Sequence, residues 1–160
     1  MPKVDRQLLK NKDKIVSDIS AFTKKSNILS ENEELKPYET DGLAAYKQTP
    51  MLVVLPENTN EVSKILSYCN KNKIKVVPRG AGTGLAGSAL PLADCILLGL
   101  GKFNKIKEID FTNRCVVAQP GVTNLSITHA VEHKGFYYAP DPSSQIACQI
   151  GGNVAENSGG

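Results

Sequence analysis

No apolar run in this 160-residue chain approaches the length of a membrane-spanning helix. No block of lysines and arginines stands out either. Its 19 basic residues are spread along the chain against 16 acidic ones, leaving a net charge of +3, which argues against a nucleic-acid partner. Residues 1–5 lack the charged start, apolar core and cleavage site of a secretory signal. The expectation is a cytoplasmic protein, peripheral at most at the inner face of a membrane. Cys69, Cys95, Cys115 and Cys148 form no Cys-x-x-Cys pair, so buried free thiols are expected rather than disulfides or a zinc site. The remaining composition, 41% hydrophobic, supports one domain with a sizeable core.

What the chain does have is a glycine loop, Arg79-Gly80-Ala81-Gly82-Thr83-Gly84, continued by Gly87 and Ser88. It follows directly on the apolar Val76-Val77 and holds no acidic residue. Glycine lets backbone N–H groups approach a ligand without a Cβ in the way. Successive N–H groups in such a turn form a nest suited to phosphate or pyrophosphate. Arg79 would add a fixed positive charge and a fork of donors at the loop's entrance. The bland alternative is a glycine-rich connection between two strands.

The first third of the chain is charged and helical in character. Ile15, Ile19 and Phe22 fall on one helical face, and Ser30 with Glu33 has the spacing of a capping box. Residues 37–42 then read as a loop, with Tyr38 and Asp41 as turn residues. From Met51 the grain changes. Residues 51–55 and 74–77 are short apolar runs flanking an amphipathic helix that carries Val62, Ile65, Leu66 and Cys69, with Thr59 or Asn60 as its N-cap. This is a βαβ unit, whose two strands should be parallel. The glycine loop leaves the end of the second strand, where open α/β sheets place ligands. Residues 95–98 form a further strand. Residues 106–111 and 115–118, joined at Thr112-Asn113-Arg114, read as an antiparallel hairpin. A helix follows from about residue 124 to 134, with Thr123 as N-cap and Gly135 as its stop.

Two tempting motifs are set aside. Gly82-x-Gly84-x-x-Gly87 has the spacing of a Rossmann dinucleotide fingerprint, but Pro91 and Asp94 interrupt before any helix could begin. His129-Ala-Val-Glu132-His133 has the pattern of a zinc peptidase helix. No convincing third ligand follows it, so two solvated histidines are expected and no metal. The last informative segment is Tyr137-Tyr138-Ala139-Pro140-Asp141-Pro142-Ser143-Ser144 with Ile150-Gly151-Gly152-Asn153-Val154. Its prolines fix an extended loop, and its small residues and asparagines offer polar groups to something flat.

Taken together, these segments resemble the flavoproteins of the vanillyl-alcohol oxidase type, with their FAD-binding domain. The resemblance rests on residues 37–43, 78–88, 102–106, 120–122 and 137–160. It implies an α+β fold of two subdomains, a βαβ unit with parallel strands followed by the start of a second, antiparallel sheet. It also implies that FAD lies between them. Gly80, Ala81, Gly82, Thr83 and Gly84 would wrap the pyrophosphate, with Gly87 and Ser88 continuing toward the flavin. Pro140, Asp141, Ser143, Ser144, Gly151, Gly152 and Asn153 would form the other wall. Members with covalent flavin have a histidine where this chain has Thr83, so non-covalent FAD is implied. The implied reaction is oxidation of a small 2-hydroxy acid, glycolate or D-lactate like, by hydride transfer to the flavin. Further oxidase subunits, including an iron-sulfur subunit, are implied as partners.

The resemblance divides the chain into a helical segment, residues 1–36, and an FAD-binding domain, residues 37–160, incomplete at its C-terminus. The substrate domain of such relatives is missing, so no residue takes a catalytic role. A non-catalytic fragment, or a split-gene half needing a partner chain, stays open as the alternative.

Overall fold

Strands Leu52–Val54 (β2) and Cys95–Gly99 (β4) are buried along their whole length, as a parallel pair covered on both faces requires. The computed structural model describes residues 3–160. β4 pairs in parallel with β2 (Val53 opposite Leu97) and with Lys75–Arg79 (β3; Val77 opposite Leu97). Ile28–Leu29 (β1) adds an antiparallel edge, giving the order β1-β2-β4-β3. β2 and β3 are parallel, as their pattern predicts, but β4 lies between them.

Helix Thr59–Lys71 (α4) joins β2 to β3 and buries Ile65 and Cys69. Its N-cap is Asn58, not Thr59 or Asn60, because the Asn58 side chain reaches forward to accept from the Glu61 N–H at 3.0 Å. Helices Arg6–Lys10 (α1) and Lys12–Ile19 (α2) belong to the N-terminal segment assigned to residues 1–36, of which residues 1 and 2 lie outside the described residues. Ile15 and Ile19 pack into one core with Ile28, Leu52, Ile65 and Ile96. Phe22 falls beyond the end of α2, half-buried against Tyr68. On the sheet's other face Leu35 meets Val53 and Leu97. Leu35 closes the short helix Asn32–Leu35 (α3), whose capping box is Glu31 with Glu34. The box sits one residue later than Ser30 with Glu33, because the Glu34 carboxylate accepts from both the Ser30 and Glu31 N–H groups.

The second sheet is the expected hairpin, Ile106–Asp110 (β5) and Cys115–Ala118 (β6), antiparallel with Ile109 opposite Val116. The Asp110 carboxylate accepts from the Asn113 N–H at 2.9 Å and holds the turn. Helix Asn124–Val131 (α5) starts at Thr123, whose hydroxyl accepts from Ser126 N–H, and its last turn tightens and stops at Gly135 with φ of 76°.

Residues 150–155, expected as loop, are instead a helix, Ile150–Ala155 (α6). Two glycines make it a poor helix on its own. It is held from outside, since Ile150 N–H donates to Val122 O and Gly151 N–H to Pro120 O, each at 2.9 Å. Among the cysteines, Cys69, Cys95 and Cys148 are buried, while Cys115 is exposed on β6 against expectation. Burial raises the Cys69 and Cys95 thiols to about 11. No helix of the described residues is long and apolar enough to cross a membrane.

Candidate functional site

The chain leaves β3 at Arg79 and re-enters the sheet at Cys95, and no helix forms in between. That rules out the Rossmann arrangement on geometry. Gly82 takes φ of 74°, a conformation L side chains resist, and turns the loop back over the strand end. Among the described residues, no N–H of residues 80–84 donates to a protein acceptor. A run of free, adjacent donors at the end of a parallel strand is an anion nest.

Residues 79–84 and Ser88 form one wall of a cavity of about 610 Å³. Ser143, Ser144, Gly151, Gly152 and Asn153 form the other. The two predicted segments, 60 residues apart in sequence, therefore meet across one cleft. Gly151 has no room for a side chain, since a Cβ there would stand 2.6 Å from the Pro120 ring. Gly87, Pro140 and Asp141 do not line the cavity. The Gly87 carbonyl closes a turn by accepting from Leu90 N–H, and Pro140 O accepts from the Asn124 amide. Asp141 N–H donates to Gly159 O at 2.9 Å.

Arg79 departs most from expectation. Its side chain turns back from the entrance and is only 9% exposed. The Nη1 group donates to the Thr40 carbonyl at 2.6 Å, and the guanidinium lies 5.7 Å from the centre of the Tyr38 ring. Burial pulls its pKa below the ordinary arginine value, with Tyr38 and Asp41 opposing that shift.

Sequence reasoning missed Gln149, Leu85 and Glu156 on the cavity wall. Gln149 Oε1 and Asn153 Nδ2 are buried there without a hydrogen-bond partner. Only its place two residues before the glycine pair could have flagged Gln149. A second, mostly apolar cavity of about 600 Å³ lies between the hairpin and α5, lined by Phe111, Val116, Ile127 and Phe136. His129 and His133 are both exposed, His133 with its ring perpendicular to that of Phe111. Among the described residues no three His, Cys, Asp or Glu side chains gather around one point.

Residues 50–160 match the family model described as the FAD binding domain. The chain is 55% identical over 133 residues to glycolate oxidase subunit GlcD of Escherichia coli (strain K12), covering 83% of this chain and 27% of that protein. It is 36% identical over 146 residues to the mitochondrial D-2-hydroxyglutarate dehydrogenase of Arabidopsis thaliana, covering 89% of this chain and 26% of that one. Among solved structures, an alkyldihydroxyacetonephosphate synthase superposes with a TM-score of 0.79 at 20% identity, over 96% of this chain and 29% of that one. At that identity the likeness speaks to fold alone. The chain spans little more than a quarter of the curated relatives it matches.

Proposed function

The chain belongs to the FAD binding domain family, and from that premise we propose that it is the FAD-binding portion of an oxidoreductase acting on a small 2-hydroxy acid. Glycolate or D-lactate is the kind of substrate meant. Glycolate oxidase and D-2-hydroxyglutarate dehydrogenase, to which it is similar, both carry a 2-hydroxy acid in their names. Residues 37–160 make up the FAD-binding unit and residues 1–36 a helical segment packed on it.

The observation that carries the reading is the free N–H run of residues 80–84 facing a second polar wall across one cavity. These donors would hold the pyrophosphate. Ser143, Ser144 and Asn153 would hydrogen-bond from the opposite side, and the unpartnered Gln149 Oε1 and Asn153 Nδ2 would gain partners. Thr83 offers no imidazole for a covalent link, so the flavin is held non-covalently. When bound, the flavin supplies the redox chemistry by accepting hydride from the substrate carbon. The groups that hold the substrate carboxylate and take its proton are proposed to lie in the part of the longer relatives that this chain does not span. Further oxidase subunits, an iron-sulfur subunit among them, complete the proposal, as does a cytoplasmic location, peripheral at the inner membrane face.

The test joins the chain to the part of the longer relatives that it does not span, supplies FAD, removes free flavin by gel filtration and assays dye reduction with glycolate and D-lactate. Retained yellow colour with turnover of a 2-hydroxy acid is expected. A protein that retains NAD or a metal, and no flavin, would overturn the reading.

A further inference from the structure

Among the described residues, the N–H groups of residues 80–84 donate to no protein acceptor, so something beneath the loop must set its shape. Four of the six residues 79–84 are not the answer, being glycine, alanine or glycine again. The support comes from residues 38–42, which do not line the cavity. Arg79 reaches down to this segment, donating to Thr40 O and lying over the Tyr38 ring. The curve of the loop at Gly82 then closes over the guanidinium, which fills the place a Cβ on Gly82 would need. A second contact sits further along. Gly42 lies so close beneath the loop that a Cβ there would stand 2.6 Å from Thr83 O and 2.9 Å from Gly84 O. Asp41 fixes the turn at that point, accepting from Leu43 N–H at 3.0 Å through Oδ1, while its buried Oδ2 has no partner.

We infer that Tyr38, Arg79 and Gly42 form a brace that preorganises the glycine loop, so that Arg79 acts as a positioning residue from behind the loop and not as a phosphate ligand. The inference rests on the proposed FAD reading of the cavity. A glycine-rich loop without support would sample many conformations, and ordering it on binding would oppose affinity. Planarity matters more than charge here. The guanidinium lies over the Tyr38 ring at 5.7 Å and spreads three of its atoms into the space under Gly82, a planar fork that a lysine ammonium lacks.

The test is FAD titration of the flavin-free protein, at several salt concentrations, with Tyr38→Leu, Tyr38→Phe, Arg79→Lys, Arg79→Met and Gly42→Ala. Tyr38→Leu and Arg79→Lys should each weaken FAD binding about 10- to 30-fold. Tyr38→Phe, which keeps the ring face, should restore it. The salt dependence should stay that of the wild type in all of them. Full affinity in Arg79→Lys, or in Tyr38→Leu, would overturn the brace. So would a flattened salt dependence in Arg79→Met, which removes the charge and so reports a direct phosphate contact. Gly42→Ala pushes on the loop from behind and should weaken binding with the circular dichroism spectrum unchanged; unaltered affinity there counts against the brace.

A ligand-free readout separates this inference from the FAD reading. NMR order parameters of the Gly80, Gly82 and Gly84 amides should be high in the wild type and fall in Tyr38→Leu. If the wild type retains no FAD, the cofactor reading fails while the order parameters still decide on the brace. Equal order parameters in wild type and Tyr38→Leu would overturn it.

Discussion

The side-chain amide of Asn124, wholly buried in the first turn of α5, donates to the Pro140 carbonyl at 3.0 Å. One residue thereby ties α5 to the proline loop that leads into the second cavity wall. Asn124→Ala should cost about 0.5–1.5 kcal/mol of stability, the usual net worth of one hydrogen bond. It should also weaken FAD binding, because Ser143 and Ser144 lose their anchor. Thermal unfolding and flavin titration check the two effects separately. Unchanged affinity would mean the wall is positioned by other contacts.

Gly82→Val should abolish flavin binding. The substitution asks a branched residue to adopt φ of 74° and places its Cβ in the volume of the Arg79 guanidinium. His129→Ala, on an exposed face of α5, should leave binding unchanged. Flavin retention after gel filtration compares both with the wild type, and equal losses would place the site elsewhere.

With Thr83 in the loop, acid precipitation should release all the yellow colour to the supernatant. Flavin fluorescence that stays with the protein band on a denaturing gel would count decisively against non-covalent binding.

Asp94 joins β4 to the rest of the sheet's end. Its side chain is 2% exposed and accepts from Lys75 Nζ and from Asp5 N–H, both at 2.7 Å. Burial disfavours its charge, but Lys75 and the Asp5 N–H outweigh that and hold its carboxyl below the ordinary value of 3.8. A carboxyl depressed on folding contributes stability above its unfolded pKa and loses it as pH falls through the folded one. Asp94→Asn should therefore cost about 1.5–3 kcal/mol at neutral pH. It should also flatten the loss of stability below pH 3.8. Chemical unfolding from neutral pH down into the acid range measures both.

The features legible in the sequence are those with local causes. Thr123 caps α5 because its hydroxyl reaches only as far as Ser126, and Gly135 stops the same helix by its own φ. The hairpin is announced by its turn, and the glycine loop by composition. The features that escaped are decided from far away in the chain. β1 is two residues long, too short to leave a periodicity, and exists because β2 lies beside it. α6 contains two glycines and is helical because Val122 and Pro120 supply its first acceptors. The direction of the Arg79 side chain depends on Thr40 and Tyr38, about forty residues earlier, which no spacing rule reaches.

The strand order β1-β2-β4-β3 also governs when this protein can come into being. β4 is the last of the four to be synthesised, yet it sits between β2 and β3. β3 has only a wrong edge to pair with until residues 95–99 emerge from the ribosome. β1 and β2 can zip first, since they need nothing later in the chain. Parallel pairing over such separations is slow, because long loops must close before any contact rewards them. The glycine loop is itself the segment that runs from β3 to β4, so the insertion of β4 closes the sheet and shapes the cradle in a single event. A nascent chain that has not yet placed β4 has no cradle, and flavin capture becomes a late report that the sheet was assembled in the right order.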